Sequence, residues 1–167
     1  MSDWREELRQ QLADGGRIAV LGAGSVLCGD DAAGMLVIDY LREQAQEDTA
    51  LLLCAGSTAP ENFTGEIKRF APQHLLVVDA AYIGREPGAI QIITADAIHG
   101  AGFSTHMLPF PLMLDYLRAH LDCSVTVIGV QPRCTDFGAD AGAEVTAAAR
   151  LLAATILELL GKGAAKA

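Results

Sequence analysis

Five short apolar runs alternate with segments of helical period, and that alternation confines the chain to a layered α/β architecture. The first run, Arg17-Ile18-Ala19-Val20-Leu21-Gly22, has no polar interruption and closes on glycine, the pattern of a parallel strand buried on both faces. Leu51 to Ala55 reads as a second buried strand, and Leu75 to Asp79 as a third that ends in a carboxylate. Ala89 to Ile93 forms a fourth after a Pro87-Gly88 turn, and Ser124 to Val130 a fifth. Gln91 interrupts the fourth run, and the connection before it is too short for a crossover helix. That strand is expected to run antiparallel at a sheet edge.

Helical period fills the gaps. Asp3 to Leu12 places Trp4, Leu8 and Leu12 on one face. A second helix is expected from Asp31 or Ala32, with Met35, Ile38 and Leu41 or Arg42 along its inner stripe. Pro60 to Phe70 and Leu112 to Leu121 follow. A closing helix from Ala143 to Leu160 buries Val145, Ala149, Leu152, Ile156 and Leu159. Residues 161–167 are expected to fray. The expected fold is one domain over residues 1–167, a three-layer α/β structure. Its mostly parallel, five-stranded twisted sheet carries helices on both faces.

Charge narrows the partners. A net charge of −9 opposes binding to a nucleic-acid backbone or an anionic membrane, both of which select basic patches. No apolar stretch is long enough to span a bilayer and the first residues are charged, so a cytoplasmic protein is expected. Cys28, Cys54, Cys123 and Cys134 form no C-x-x-C pair, and reduced structural thiols are expected.

In an open α/β sheet, ligands bind beyond the carboxyl ends of the strands, where the strand order reverses. Three places meet that rule: Gly29-Asp30-Asp31 after strand one, Asp79 at the end of strand three, and Ser104-Thr105-His106 after strand four. Two carboxylates and an imidazole make a mixed oxygen and nitrogen ligand set. Such a set can hold zinc or nickel while leaving positions open for water or substrate. Each residue also has a plainer reading: Asp31 as a helix-start acid, Asp79 as a turn cap, and His106 as a cap on the following helix. Cys54 could be a nucleophile, but no histidine pairs with it in sequence. Gly22-Ala23-Gly24 invites a dinucleotide reading, which fails because Leu27 stands where the third glycine belongs and Cys54 where the acid belongs.

Leu21-Gly22-Ala23-Gly24-Ser25 leading into Gly29-Asp30-Asp31-Ala32-Ala33-Gly34 resembles the opening motif of the hydrogenase maturation endopeptidases. The similarity continues through Gly56-Ser57-Thr58-Ala59-Pro60-Glu61-Asn62 and Leu75-Leu76-Val77-Val78-Asp79-Ala80. It resumes at Pro87-Gly88, Ser104-Thr105-His106-Met107 and Gly129-Val130-Gln131-Pro132, in an order closest to the hydrogenase 3 branch. The resemblance implies an endopeptidase that removes the C-terminal extension of a nickel-iron hydrogenase large-subunit precursor after nickel insertion. It assigns the metal-binding and catalytic positions to Asp31, Asp79 and His106. Nickel would arrive with the precursor, and zinc or cadmium could occupy the same site in vitro. The family usually has an aspartate before a glycine pair ahead of the Ala-Pro-Glu-Asn stretch. Here that place reads Cys54-Ala55-Gly56, so a carboxylate implied to help handle the precursor is missing.

An aspartyl-type peptidase without a standing nucleophile is the expected mechanism, in which the precursor's nickel acts as Lewis acid and template. Asp30 has two readings, as a base or as a residue that orients its loop. A monomer is expected, with polar and transient contacts to the client. Two other classes remain open on sequence: a peptidase with its own zinc and an unrelated substrate, and a non-catalytic chaperone that binds the precursor.

Overall fold

The computed structural model describes residues 3–47, 50–94, 97–98 and 110–164. Five strands form one sheet: β1 (Ile18–Ala23), β2 (Leu51–Ser57), β3 (His74–Ala80), β4 (Ile90–Ile93) and β5 (Ser124–Val130). Their order is β2-β1-β3-β5-β4. The first four strands in that order are parallel, and β4 pairs antiparallel with β5 at one edge. This is the expected mixed sheet, including the reversed edge strand.

Strand alternation divides the interior into two cores. Ile18, Val20, Leu76, Val78, Ile128 and Val130 face one side, where α1 (Trp4–Gln11), α2 (Ala33–Gln44) and α5 (Ala143–Ala164) supply Leu8, Val37, Ile38, Leu41, Val145, Leu152 and Ile156. Ala19, Leu21, Leu75, Val77 and Val127 face the other. There α3 (Thr64–Phe70) and α4 (Phe110–His120) bring Ile67, Phe110, Met113, Leu114 and Leu117. Burying one fully enclosed Leu or Ile contributes roughly 1.5–3 kcal/mol, so each layer is held by many such increments.

Three local expectations differ from the structure. β2 is an outer strand with β1 as its single neighbour, so Leu51, Leu52 and Leu53 are half-buried rather than enclosed. In α2 the buried stripe is Ala33, Gly34, Val37, Ile38 and Leu41, while Met35 turns aside and its sulfur accepts from the Ser57 amide. Gly34 sets that rotation. A Cβ there would lie 2.3 Å from the Val78 carbonyl oxygen and 2.4 Å from that of Ala23, so only this face of the helix can lie against β1 and β3. Third, residues 60–70 form a 3-10 turn (Pro60–Phe63) followed by α3, not one continuous helix.

The closing helix runs from Ala143 to Ala164. No helix among the described residues is long and apolar enough to cross a membrane. All four cysteines are free. Because β2 and β3 flank β1 on opposite sides, the chain reverses its direction across the sheet at β1. The carboxyl ends of β1 and β3 are therefore the mouth of a crevice.

Candidate active site

The loop leaving β1 turns back at Gly24, with φ +113°. A Cβ on that residue would lie 1.8 Å from the carbonyl oxygen of Asp31, so glycine alone lets the loop fold over the acid. Asp31 sits in a 3-10 turn, Gly29–Ala32, that leads into α2. Its amide donates to the Cys28 carbonyl at 3.1 Å. One carboxylate oxygen accepts from the Ser25 amide at 2.7 Å. That donor fixes the side chain, and the other oxygen accepts no hydrogen bond from the described residues.

Asp30, its neighbour, is spent on structure. It is buried, and its two oxygens accept from the backbone amides of Arg133 (2.7 Å), Cys134 (3.2 Å) and Gly142 (2.6 Å). In return the Asp30 amide donates to the Cys134 carbonyl at 2.8 Å. The carboxylate thus ties the loop after β5 to the turn carrying Asp31. Of its two readings, the geometry supports the one in which Asp30 orients the loop.

Asp79 is the opposite case. It stands at the end of β3, is 2 % exposed, and neither carboxylate oxygen finds a hydrogen-bond partner among the described residues. Burial first, and the nearby charge of Asp31 second, push its pKa from 3.8 to about 8, against a smaller opposing pull from the Ala80 amide. A buried carboxyl group with no donor is costly unless something else occupies it. The turn that carries Asp31 packs against β3, where the charge of one acid is felt by the other. Perturbed acids at such a position mark functional sites more often than structural ones.

The unspent oxygens of Asp79 and Asp31 suit a hard or borderline divalent cation. Among the described residues no third His, Cys, Asp or Glu joins them as a metal-holding group. His106, the third position expected from sequence, lies outside the described residues.

Cys54 cannot serve as a nucleophile in this conformation. It lies inside β2, is fully buried, and burial followed by the charge of Glu66 raises its thiol to about 12, with Arg42 opposing. Cys54 is therefore a neutral, buried thiol.

One positioning residue was not assigned a role from sequence. Gln131 is buried, and its side-chain oxygen accepts from the amides of Ile83 (2.8 Å) and Arg85 (3.2 Å), while its nitrogen donates to the Pro132 carbonyl at 2.9 Å. It holds the loop after β3 against the end of β5. A glutamine closing an apolar strand was the available signal.

Comparison with known proteins shows the family. Residues 35–159 match the family model described as hydrogenase maturation protease, HycI. A putative hydrogenase maturation protease of Methanocaldococcus jannaschii is 30% identical over 162 residues, covering 93% of this chain and 95% of the relative. The hydrogenase 3 maturation protease of Escherichia coli K12 is 32% identical over 119 residues, covering 71% and 74%. The crystal structure of the NiFe hydrogenase maturation protease HycI from Thermococcus kodakarensis superimposes with a TM-score of 0.85 at 30% identity, over 93% of this chain and 99% of that one. The chain belongs to the hydrogenase maturation proteases, a family of endopeptidases.

Proposed function

We propose that this protein removes the C-terminal extension of a nickel-iron hydrogenase large-subunit precursor once nickel has been inserted, and that it recognises the seated nickel through Asp31 and Asp79. The observation that carries this reading is the buried Asp79 carboxyl group, whose two oxygens have no donor among the described residues although it lies beside Asp31 at the strand crossover. A buried acid without hydrogen-bond partners is suited to a cation delivered by the substrate. Family membership supports the client, since the relatives are named for hydrogenase maturation.

In this reading nickel is part of the substrate. Asp31, held by the Ser25 amide, and Asp79, fixed at the end of β3, offer oxygen ligands from two rigid elements. His106 is proposed as the third ligand. When the precursor is bound, its nickel supplies Lewis acidity and a fixed template beside the scissile peptide. Hydrolysis adds a water oxygen to the carbonyl carbon, breaks the C–N bond and transfers a proton to the departing amine. Asp30 takes no part, because backbone amides occupy both its oxygens.

The test is cleavage of the nickel-loaded precursor by the wild-type protein and by Asp79→Asn, followed by intact mass. Loss of a C-terminal peptide with the wild type and none with the variant is expected. Equal cleavage by both would remove Asp79 from the site. Binding of the precursor without cleavage by the wild type would make the protein a chaperone instead.

A further inference from the structure

Polar and transient contacts with the client are the expectation from sequence, yet the loops at the carboxyl ends of the strands also expose large apolar side chains. Among the described residues seven large hydrophobic side chains are exposed, and four of them, Val26, Leu27, Tyr82 and Phe137, lie on the loops that leave β1, β3 and β5 at the crevice end of the sheet. Phe137 is 82 % exposed and Leu27 59 %. Such side chains scattered singly need no explanation, whereas a group collected around a site does.

Hydrogen bonds join these loops into one platform. The Gly138 amide donates to the Leu27 carbonyl at 2.8 Å, which ties the turn carrying Phe137 to the loop carrying Leu27. Tyr82 reaches the same loop, with its hydroxyl 3.3 Å from that of Thr135. The Gly29 amide donates to the Ala139 carbonyl at 3.0 Å, and the Asp30 carboxylate holds the amides of Arg133, Cys134 and Gly142. An exposed aromatic side chain on so fixed a backbone loses little entropy on contact, the property of an anchoring residue at an interface.

We propose that Leu27 and Phe137, flanked by Val26 and Tyr82, form a seat for an apolar side chain of the precursor close to its scissile bond. The inference rests on the function proposed above and names what that site grips besides the metal. The occupant follows from position and size. Val26 and Leu27 directly follow Ser25, whose amide holds the Asp31 carboxylate, so a peptide bound at Asp31 lies next to them. A stable dimer needs about 800 Å² from each partner, and four side chains expose too little for that. They are sufficient for one or two residues of an extended peptide.

The experiment compares wild type, Phe137→Ser, Leu27→Ser and Phe137→Leu in binding and steady-state cleavage of the nickel-loaded precursor, with thermal melting and sedimentation as controls. KM and the dissociation constant should rise about tenfold or more in the two serine variants, with kcat within about twofold and melting unchanged. Phe137→Leu should recover most of the affinity. Unchanged KM and affinity in the serine variants, with the wild type active, overturns the seat and leaves the proposed function standing. Disruption of a dimer by Phe137→Ser, with KM unaffected, overturns it in favour of self-association. A wild-type protein that neither binds nor cleaves the precursor overturns the proposed function and the seat together.

Discussion

Asp31 and Asp79 stand at the same end of the sheet but differ in their partners: the Ser25 amide donates to Asp31 at 2.7 Å, and neither oxygen of Asp79 makes a hydrogen bond among the described residues. The asymmetry gives one acid a fixed orientation and leaves the other dependent on what enters the site. It also has consequences for stability that can be separated from catalysis.

The first concerns pH. Asp79 has its folded pKa raised from 3.8 to about 8, so the folded state holds a proton that the unfolded chain releases. Its stabilising contribution is complete below pH 3.8 and is lost as the pH rises through 8, by up to about 1.4 kcal/mol for each pH unit between. Asp79→Asn cannot ionise and should lack this component. Urea unfolding of both proteins from pH 5 to 9 should show the variant gaining on the wild type as the pH rises. A constant difference across that range would contradict the buried, donor-free carboxyl group.

Asp30 should behave in the reverse way. Asp30→Ala leaves the amides of Arg133, Cys134 and Gly142 without their acceptor, and should cost about 2–4 kcal/mol. Activity should fall with it, since the turn carrying Asp31 loses its anchor. Thermal melting checks the first effect. A variant as stable as the wild type would show that the loop is held by something else.

At Gly24 the constraint is steric. Alanine there must adopt φ +113° with its Cβ 1.8 Å from the Asp31 carbonyl oxygen, which the loop cannot accommodate without moving Asp31. Gly24→Ala should destabilise by at least about 3 kcal/mol and abolish processing. Chemical denaturation and the processing assay would both register the change.

Cys54 should be dispensable for chemistry. With a thiol pKa of about 12 in a fully buried position, it should resist iodoacetamide in the native protein at neutral pH. Cys54→Ala should process the precursor at the wild-type rate. Peptide mapping after alkylation and a rate measurement test the two statements separately.

Much of this structure was legible in single residues. The bounds of β5 follow from the run Ser124 to Val130, and the reversed direction of β4 from Gln91 and a short connection. The positions of Asp31 and Asp79 at the crevice followed from their places after apolar runs. What sequence did not reveal depends on strand order and close approach. The outer position of β2 is set by pairing with β1, which no local pattern encodes. The rotation of α2 is set by Gly34 against two carbonyl oxygens from distant strands. Asp30 and Asp31 are adjacent acids with different fates, and their difference comes from a loop more than a hundred residues away. The exposed apolar residues were hidden for the same reason, because the loops of Leu27 and Phe137 are joined by backbone hydrogen bonds across more than a hundred residues of sequence.

The most direct measurement uses the large-subunit precursor prepared with and without nickel, incubated with this protein and followed by intact mass. The account predicts loss of a C-terminal peptide from the nickel-loaded form alone, because the paired carboxyl groups engage the metal that the precursor carries. Equal cleavage of both forms would contradict recognition through nickel.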